Sequence, residues 1–130
     1  MQIQLVSVFV DDPVGKAYKF YTEILGFVEK VYMPEHYLAI VASPEAPDGT
    51  QLLLEPNNNP IATTYQSALY EQGLPCIVFG VEDAQKEYER LSALGVVFRQ
   101  SPTATDWGTI EAVFEDTCGN LIQMAQSNSN

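Results

Sequence analysis

The chain carries an internal duplication at an offset of about seventy residues. Val10-Asp11-Asp12 is followed by Tyr18, Tyr21 and Leu25 at helical spacing, and then by Gly26-Phe27. Val81-Glu82-Asp83 is followed in the same way by Tyr88, Leu91 and Leu94, and then by Gly95-Val96. Each copy reads strand, acidic turn, amphipathic helix, glycine stop, strand. A unit this short cannot bury its apolar face alone, so duplication restricts the fold to paired modules that share a core.

The bulk properties bound the class of protein. A chain of 130 residues with 46% apolar residues is one globular domain's worth of core. No apolar run approaches membrane-spanning length. The start, Met1-Gln2-Ile3-Gln4, has no basic region and enters a strand pattern at once, so no signal peptide is expected. Cys76 and Cys118 form no disulfide framework or metal pair, which points to the reducing cytoplasm. With net charge −11 and only six Lys and Arg, there is no basic stripe for a nucleic acid. That acidity reads as solubility or, alternatively, as a field that draws a cationic small molecule toward a cleft.

Along the chain, residues 3–10 alternate as a strand, with Leu5, Ser7 and Phe9 on one face and Val6, Val8 and Val10 on the other. Asp12 is placed to cap a helix that begins at Pro13 and ends at Gly26. Strands follow near 27–33, 37–42 and 50–55, the last apolar on both faces and therefore central. Residues 62–72 read as a linking helix stopped by Gly73. The second copy then gives strand 76–81, a helix through Leu94, strand 96–100, loop 101–108 and strands 109–115 and 120–126. Gly119 and Asn120 suit the final turn because both tolerate positive φ, and the polar tail 127–130 is expected to fray.

The ordered set of motifs resembles the vicinal oxygen chelate superfamily, which includes glyoxalase I, fosfomycin- and bleomycin-resistance proteins and extradiol dioxygenases. It rests on Phe20-Tyr21-Thr22-Glu23-Ile24-Leu25-Gly26-Phe27, on Leu94-Gly95-Val96, and on Trp107-Gly108. It rests also on Phe114-Glu115-Asp116-Thr117-Cys118-Gly119-Asn120, with Thr117 where proline is usual. The resemblance implies an α+β glyoxalase-like fold over residues 1–130. Two βαβββ modules, about 1–56 and 75–126, would form an open, curved mixed sheet around a cavity. It also implies a homodimer and, in the enzymes, a divalent metal held by His, Gln or Glu on the first and last strands of each module.

Aligned on those motifs, the four metal positions carry Leu5, Leu54, Cys76 and Gln123. Leucine donates no electron pair, and a lone thiol is a poor substitute for oxygen or nitrogen donors, so no metal or other cofactor is expected. The expected function is metal-independent binding of a small molecule between the modules, with Ser7, Phe9, Leu54, Cys76, Trp107 and Gln123 contacting it. Tyr32, Tyr37, Tyr65 and Phe98 are further candidate walls. The alternative is a metal-dependent lyase, isomerase or dioxygenase. Glu55 and the single histidine, His36, are the candidate acid–base groups should any reaction occur, Glu55 only if it faces the cavity. Loop Trp107 is the strongest wall candidate.

Overall fold

The computed structural model describes residues 1–127, so the tail expected to fray lies, from 128 onward, outside the described residues. Two four-stranded sheets repeat one topology. In the first, β1 (Leu5–Val10), β2 (Val28–Met33), β3 (Leu38–Ala42) and β4 (Gln51–Pro56) lie in the order β1-β4-β3-β2. In the second, β5 (Ile77–Gly80), β6 (Phe98–Ala104), β7 (Thr109–Glu115) and β8 (Leu121–Ser127) lie in the order β5-β8-β7-β6. The first strand of each sheet runs parallel to the last, and the remaining pairs are antiparallel. This is the duplicated βαβββ unit, an α+β architecture with unclosed sheets.

Helices complete the modules. α1 (Lys16–Lys19) widens into a π-helical turn over Phe20–Ile24, α3 (Ala84–Ala93) is its counterpart, and α2 (Pro60–Glu71) joins the two halves. The start of α1 differs from expectation. Asp12 adopts φ 48°, the chain turns through Pro13–Gly15, and the Asp12 carboxylate accepts from the Lys16 backbone N at 2.9 Å. It still satisfies a free helix N–H, but from one irregular turn upstream. A Cβ at Gly15 would collide with that carboxylate and displace the cap. In the second copy Asp83 caps α3 directly, accepting from Lys86 N at 3.1 Å. Asn59 caps α2 through Ala62 N, which starts that helix two residues earlier than the periodicity indicated. β6 extends through Ala104 because its pairing with β7 continues past two register shifts into the stretch expected to be loop.

Each sheet buries one face. Val8, Val10, Ala39, Val41, Leu52 and Leu54 of the first sheet join Ala112, Phe114, Ile122 and Met124 of the second. Ala17, Phe20, Tyr21, Ala84 and Leu91 close this single core from the helices. The opposite faces are open: Leu5, Ser7, Val78 and Gly80 are exposed, and Phe9, Gln123 and Ala125 are partly so. α1 and α3 therefore close one face of each sheet, and the other faces are left open except where α2 lies over β1.

The modules are joined by a buried polar cluster. Gln66, Asp116 and Asn120 are the buried polar side chains among the described residues, and all three belong to it. Asp116 Oδ2 accepts from the Tyr21 hydroxyl at 2.7 Å and from Asn120 Nδ2 at 2.8 Å. Its Oδ1 accepts from the backbone N of Cys118 at 2.7 Å and of Asn120 at 3.0 Å. Asn120 Nδ2 also donates to Phe9 O at 2.7 Å, which ties the β7–β8 turn to β1. From α2, Gln66 Nε2 donates to Phe9 O, Cys118 O and Asn120 Oδ1, while its Oε1 accepts from Asn57 Nδ2. Burial raises the Asp116 pKa above the ordinary carboxylate value, against hydrogen bonds from Asn120, Tyr21 and Cys118 that favour the charged form.

The turn that carries these groups is built differently from expectation. Gly119 has φ 102° and Thr117 has φ 62°, whereas Asn120 contributes its side chain rather than a left-handed backbone. A Cβ on Gly119 would lie 2.7 Å from Gln66 Nε2. Gly119→Ala is expected to cost about 1–3 kcal/mol through backbone strain, and more if α2 is displaced. Asn120→Ala leaves Asp116 and Phe9 O each short of a donor and is expected to cost at least ~3 kcal/mol. Urea unfolding followed by far-UV circular dichroism measures both; a loss under 0.5 kcal/mol for Asn120→Ala would show that the cluster is not what joins the modules.

Candidate functional site

Two concavities lie along the junction. One, about 80 Å³, sits beneath α2 and is lined by Ser7, Val8, Phe9, Tyr65, Gln66, Leu69, Cys76 and Asn120. It has room for a few waters and is too small for an ordinary organic ligand. The other is an open groove of about 1170 Å³. Leu25, Phe27, Phe79, Leu91, Phe114 and Met124 give it an apolar floor, residues 43–46 form one wall, and β5 forms the other. Its charged lining is Glu45, Glu82, Asp83, Lys86, Glu87 and Arg90, four acids against two bases. That size and character suit a small organic molecule.

Equivalent strand segments of the duplicated chain flank the two concavities, the first on the open face of β1 and the second reaching the core side of β5. Ser7-Val8-Phe9 line the first, and Val78-Phe79-Gly80, which precede Val81 as the former precede Val10, line the second. The first is closed by α2, whose Tyr65 ring meets Phe9 edge-on at 6.4 Å. No part of α2 lines the second, and Gly80 supplies no side chain where the first copy has Phe9.

The predicted site residues divide between these places. Ser7, Phe9 and Cys76 come together at the small cavity. The Cys76 thiol is pushed up to about 12, chiefly by burial and then by the charge of Asp116. Gln123 lies on the open face of the second sheet, across the strands from Val78 and Val113. Leu54 is a correction. It pairs with Val8, is fully buried, and belongs to the core, so it cannot meet a ligand on the open face. Its neighbour Glu55 pairs with Phe9 in an unbroken ladder and shares the face of Ser7. The four positions aligned with metal ligands are thus Leu5, Glu55, Cys76 and Gln123.

His36 lies in an exposed 3₁₀ turn, Pro34–His36, on the β2–β3 connection. It lines neither of the two concavities. Of the further wall candidates, Tyr65 lines the small cavity, whereas Phe98 packs against Tyr88 and Phe114. Tyr32 stacks on Tyr18 at 4.2 Å, and its hydroxyl donates to Val14 O. Tyr37 ends the 3₁₀ turn with φ 57° and is exposed.

Trp107 is 73% exposed in the β6–β7 loop, and its indole Nε1 donates to Glu111 Oε2 at 3.2 Å. Thr109 Oγ1 donates to the same oxygen at 2.7 Å. Sequence reasoning missed Glu111. The alternation of β7 could have found it, since Thr109, Glu111 and Val113 share the face that carries Gln123. Among the described residues, no three His, Cys, Asp or Glu side chains converge to hold a metal ion. Nor, among the described residues, is any helix long and apolar enough to cross a membrane.

Comparison with known proteins agrees with this architecture. Residues 2–124 match the Glyoxalase/Bleomycin resistance protein/Dioxygenase superfamily. The chain is similar to the uncharacterized protein YurT of Bacillus subtilis (strain 168), with 50% identity covering 97% of this chain and 99% of that one. Among solved structures it is similar to UcmS2, at 27% identity and TM-score 0.81, covering 98% of both chains. It is also similar to TnmS3, an antibiotic binding protein from Streptomyces sp. CB03234, at 28% identity and TM-score 0.73, covering 98% of this chain and 96% of that one. With its sheet order, its duplicated modules and nearly its whole length in agreement, the chain belongs to the Glyoxalase/Bleomycin resistance protein/Dioxygenase superfamily.

Proposed function

We propose that this protein binds a small organic molecule between its modules and does so without a metal ion. The observation that carries this reading is the donor set Leu5, Glu55, Cys76 and Gln123. Leu5 offers nothing to a cation. Cys76 is a single thiol, and no three His, Cys, Asp or Glu side chains converge among the described residues, so it is a poor ligand for such an ion. One carboxylate and one amide remain, fewer than the three or more protein donors that such sites use. These residues do not fit a divalent metal, so no step through one is derived. The open groove of about 1170 Å³, with its apolar floor and acidic excess, supports a ligand that is apolar and cationic. Similarity to an antibiotic binding protein points the same way.

A cytoplasmic location is proposed on the two free thiols. A homodimer is proposed on the exposed apolar side chains Leu5 and Val78 of the open sheet faces. Neither a nucleic acid nor a membrane is proposed as a partner, on the strength of the charge.

Elemental analysis of the purified protein tests the central point. Less than 0.1 equivalent of Zn, Ni, Mn or Fe is expected, and a stoichiometric ion retained through dialysis would favour the lyase, isomerase or dioxygenase reading instead. Phe27→Ala, on the groove floor, is expected to weaken ligand binding more than Cys76→Ala, as read by titration with a panel of aromatic cations; the reverse order would move the site to the cavity under α2. Both thiols are pushed up to about 12 by burial, so folded protein at pH 8 should react with a disulfide reagent at least 100-fold more slowly than protein in urea. Equal rates in the two conditions would restore Cys76 as a candidate ligand.

A further inference from the structure

We infer that the free edge of β5 accepts an extended, basic, peptide-like ligand, which adds to the second sheet as a further strand. This rests on the small-molecule reading above and names the ligand's class. The lining of the open groove locates the edge. Val78 and Ala125 lie on the open face of their sheet, whereas Phe79 and Val81 pack toward the core. All four line the groove. A concavity lined from both faces of a strand runs along that strand's edge. β5 ends its sheet, with β8 on one side and no strand on the other. One row of its backbone N–H and C=O groups therefore has no ladder partner.

The matching edge of the first copy is already occupied by the chain itself. β1 also ends its sheet, and there Gln66 Nε2 and Asn120 Nδ2 donate to Phe9 O at 2.8 and 2.7 Å. Asp11 N donates to Cys118 O at 3.4 Å, so the turn after β7 closes over that edge. Its counterpart, the turn after β3, forms the groove wall at residues 43–46 and makes no hydrogen bond to β5 among the described residues. Gly80 stands where β1 has Phe9. It is exposed, and a Cβ added to it would meet nothing within 4 Å. Neither a left-handed backbone nor a close neighbour demands glycine there. A glycine inside a strand also serves where a second backbone approaches closely, and that is the use left to Gly80.

The surroundings select the occupant. The partly exposed rings of Phe27 and Phe79 offer an apolar floor to alternate side chains of an extended chain. Glu87 and Arg90 neutralise one another through an ion pair at 2.8 Å. Glu45, Glu82 and Asp83 then face Lys86 alone. Glu45 and Glu82 have no hydrogen-bond or ion-pair partner among the described residues. Basic side chains on the ligand would pair with them, and acidic ones would be repelled. The volume of about 1170 Å³ is at the top of the range for small-molecule sites, which favours an elongated guest. A second copy of this chain is a poorer occupant of the edge. Pairing β5 with β5 would bring two sets of these acids together, on chains of net charge −11.

The test uses full-length protein at pH 7 and isothermal titration calorimetry with acetylated, amidated pentapeptides. One alternates lysine and valine, and another alternates glutamate and valine. The basic peptide is expected to bind at least tenfold more tightly than the acidic one. Two N-methylated forms of the basic peptide decide the binding mode. One is methylated on the second and fourth amides, the other on the first, third and fifth, so each blocks one edge of the extended chain. One form should lose at least about tenfold in affinity and the other less than about threefold, since only one edge meets β5. Equal affinity of all three forms, or equal loss in both methylated ones, would overturn the inference. Glu45→Gln combined with Glu82→Gln should cut the preference for the basic peptide at least fivefold. An unchanged preference would place the ligand elsewhere and overturn it too. Peptide affinity that falls as protein concentration rises through a dimerisation transition would assign the edge to a second copy instead. Binding of the aromatic cations with no binding of any peptide would sink the peptide inference and leave small-molecule binding intact. Binding of neither would defeat both.

Discussion

The carboxylate of Asp116 is the hub on which this architecture depends. It accepts from the π-helical turn of one module and from the final turn of the other, and its partner Asn120 carries the network onward to β1. Four donors surround a carboxyl group shut away from water, which is the condition under which such a buried group is tolerable. No buried side-chain nitrogen or oxygen among the described residues is left without a partner. The apolar core would hold two such modules together in many relative orientations. This directional cluster selects one of them, and the geometry of both concavities follows from that choice.

Much of this was legible in the residues. Alternation placed Val8 and Val10 in the core and Ser7 and Phe9 on the open side, because a strand's period is fixed by its backbone. The doubly apolar β4 is central in its sheet, as its composition demanded. The assignment of Leu54 failed because it relied on counting between motifs. A count that slips by one residue turns the side chain to the other face, and only the Val8–Leu54 pairing in the sheet resolves it. Similarly, Asn120 was read as a turn residue for its backbone tolerance, when its amide is what the fold uses.

Glu111 shows a different limit. A glutamate in an alternating strand looks like any solvated acid in a chain with 17 acidic residues. What separates it from its neighbours is the indole and the hydroxyl that hold it, together with the absence of the arginine that neutralises Glu115. Trp107 alone was visible beforehand as a loop aromatic, and neither residue lines a concavity. Its relationship to a carboxylate four residues away depends on how β6 and β7 are joined, a feature that no spacing rule encodes.

Twin halves ought to offer twin openings, and here they do not. The linking helix exists only once, and it settles over Phe9 and Ser7 rather than over their counterparts Gly80 and Val78. A duplicated chain thereby carries two unequal concavities, one covered by its own linking helix and the other left open. For the proposed small-molecule ligand, one open groove per chain sets a ratio of one guest to each polypeptide, even though the scaffold is built from a repeated pattern.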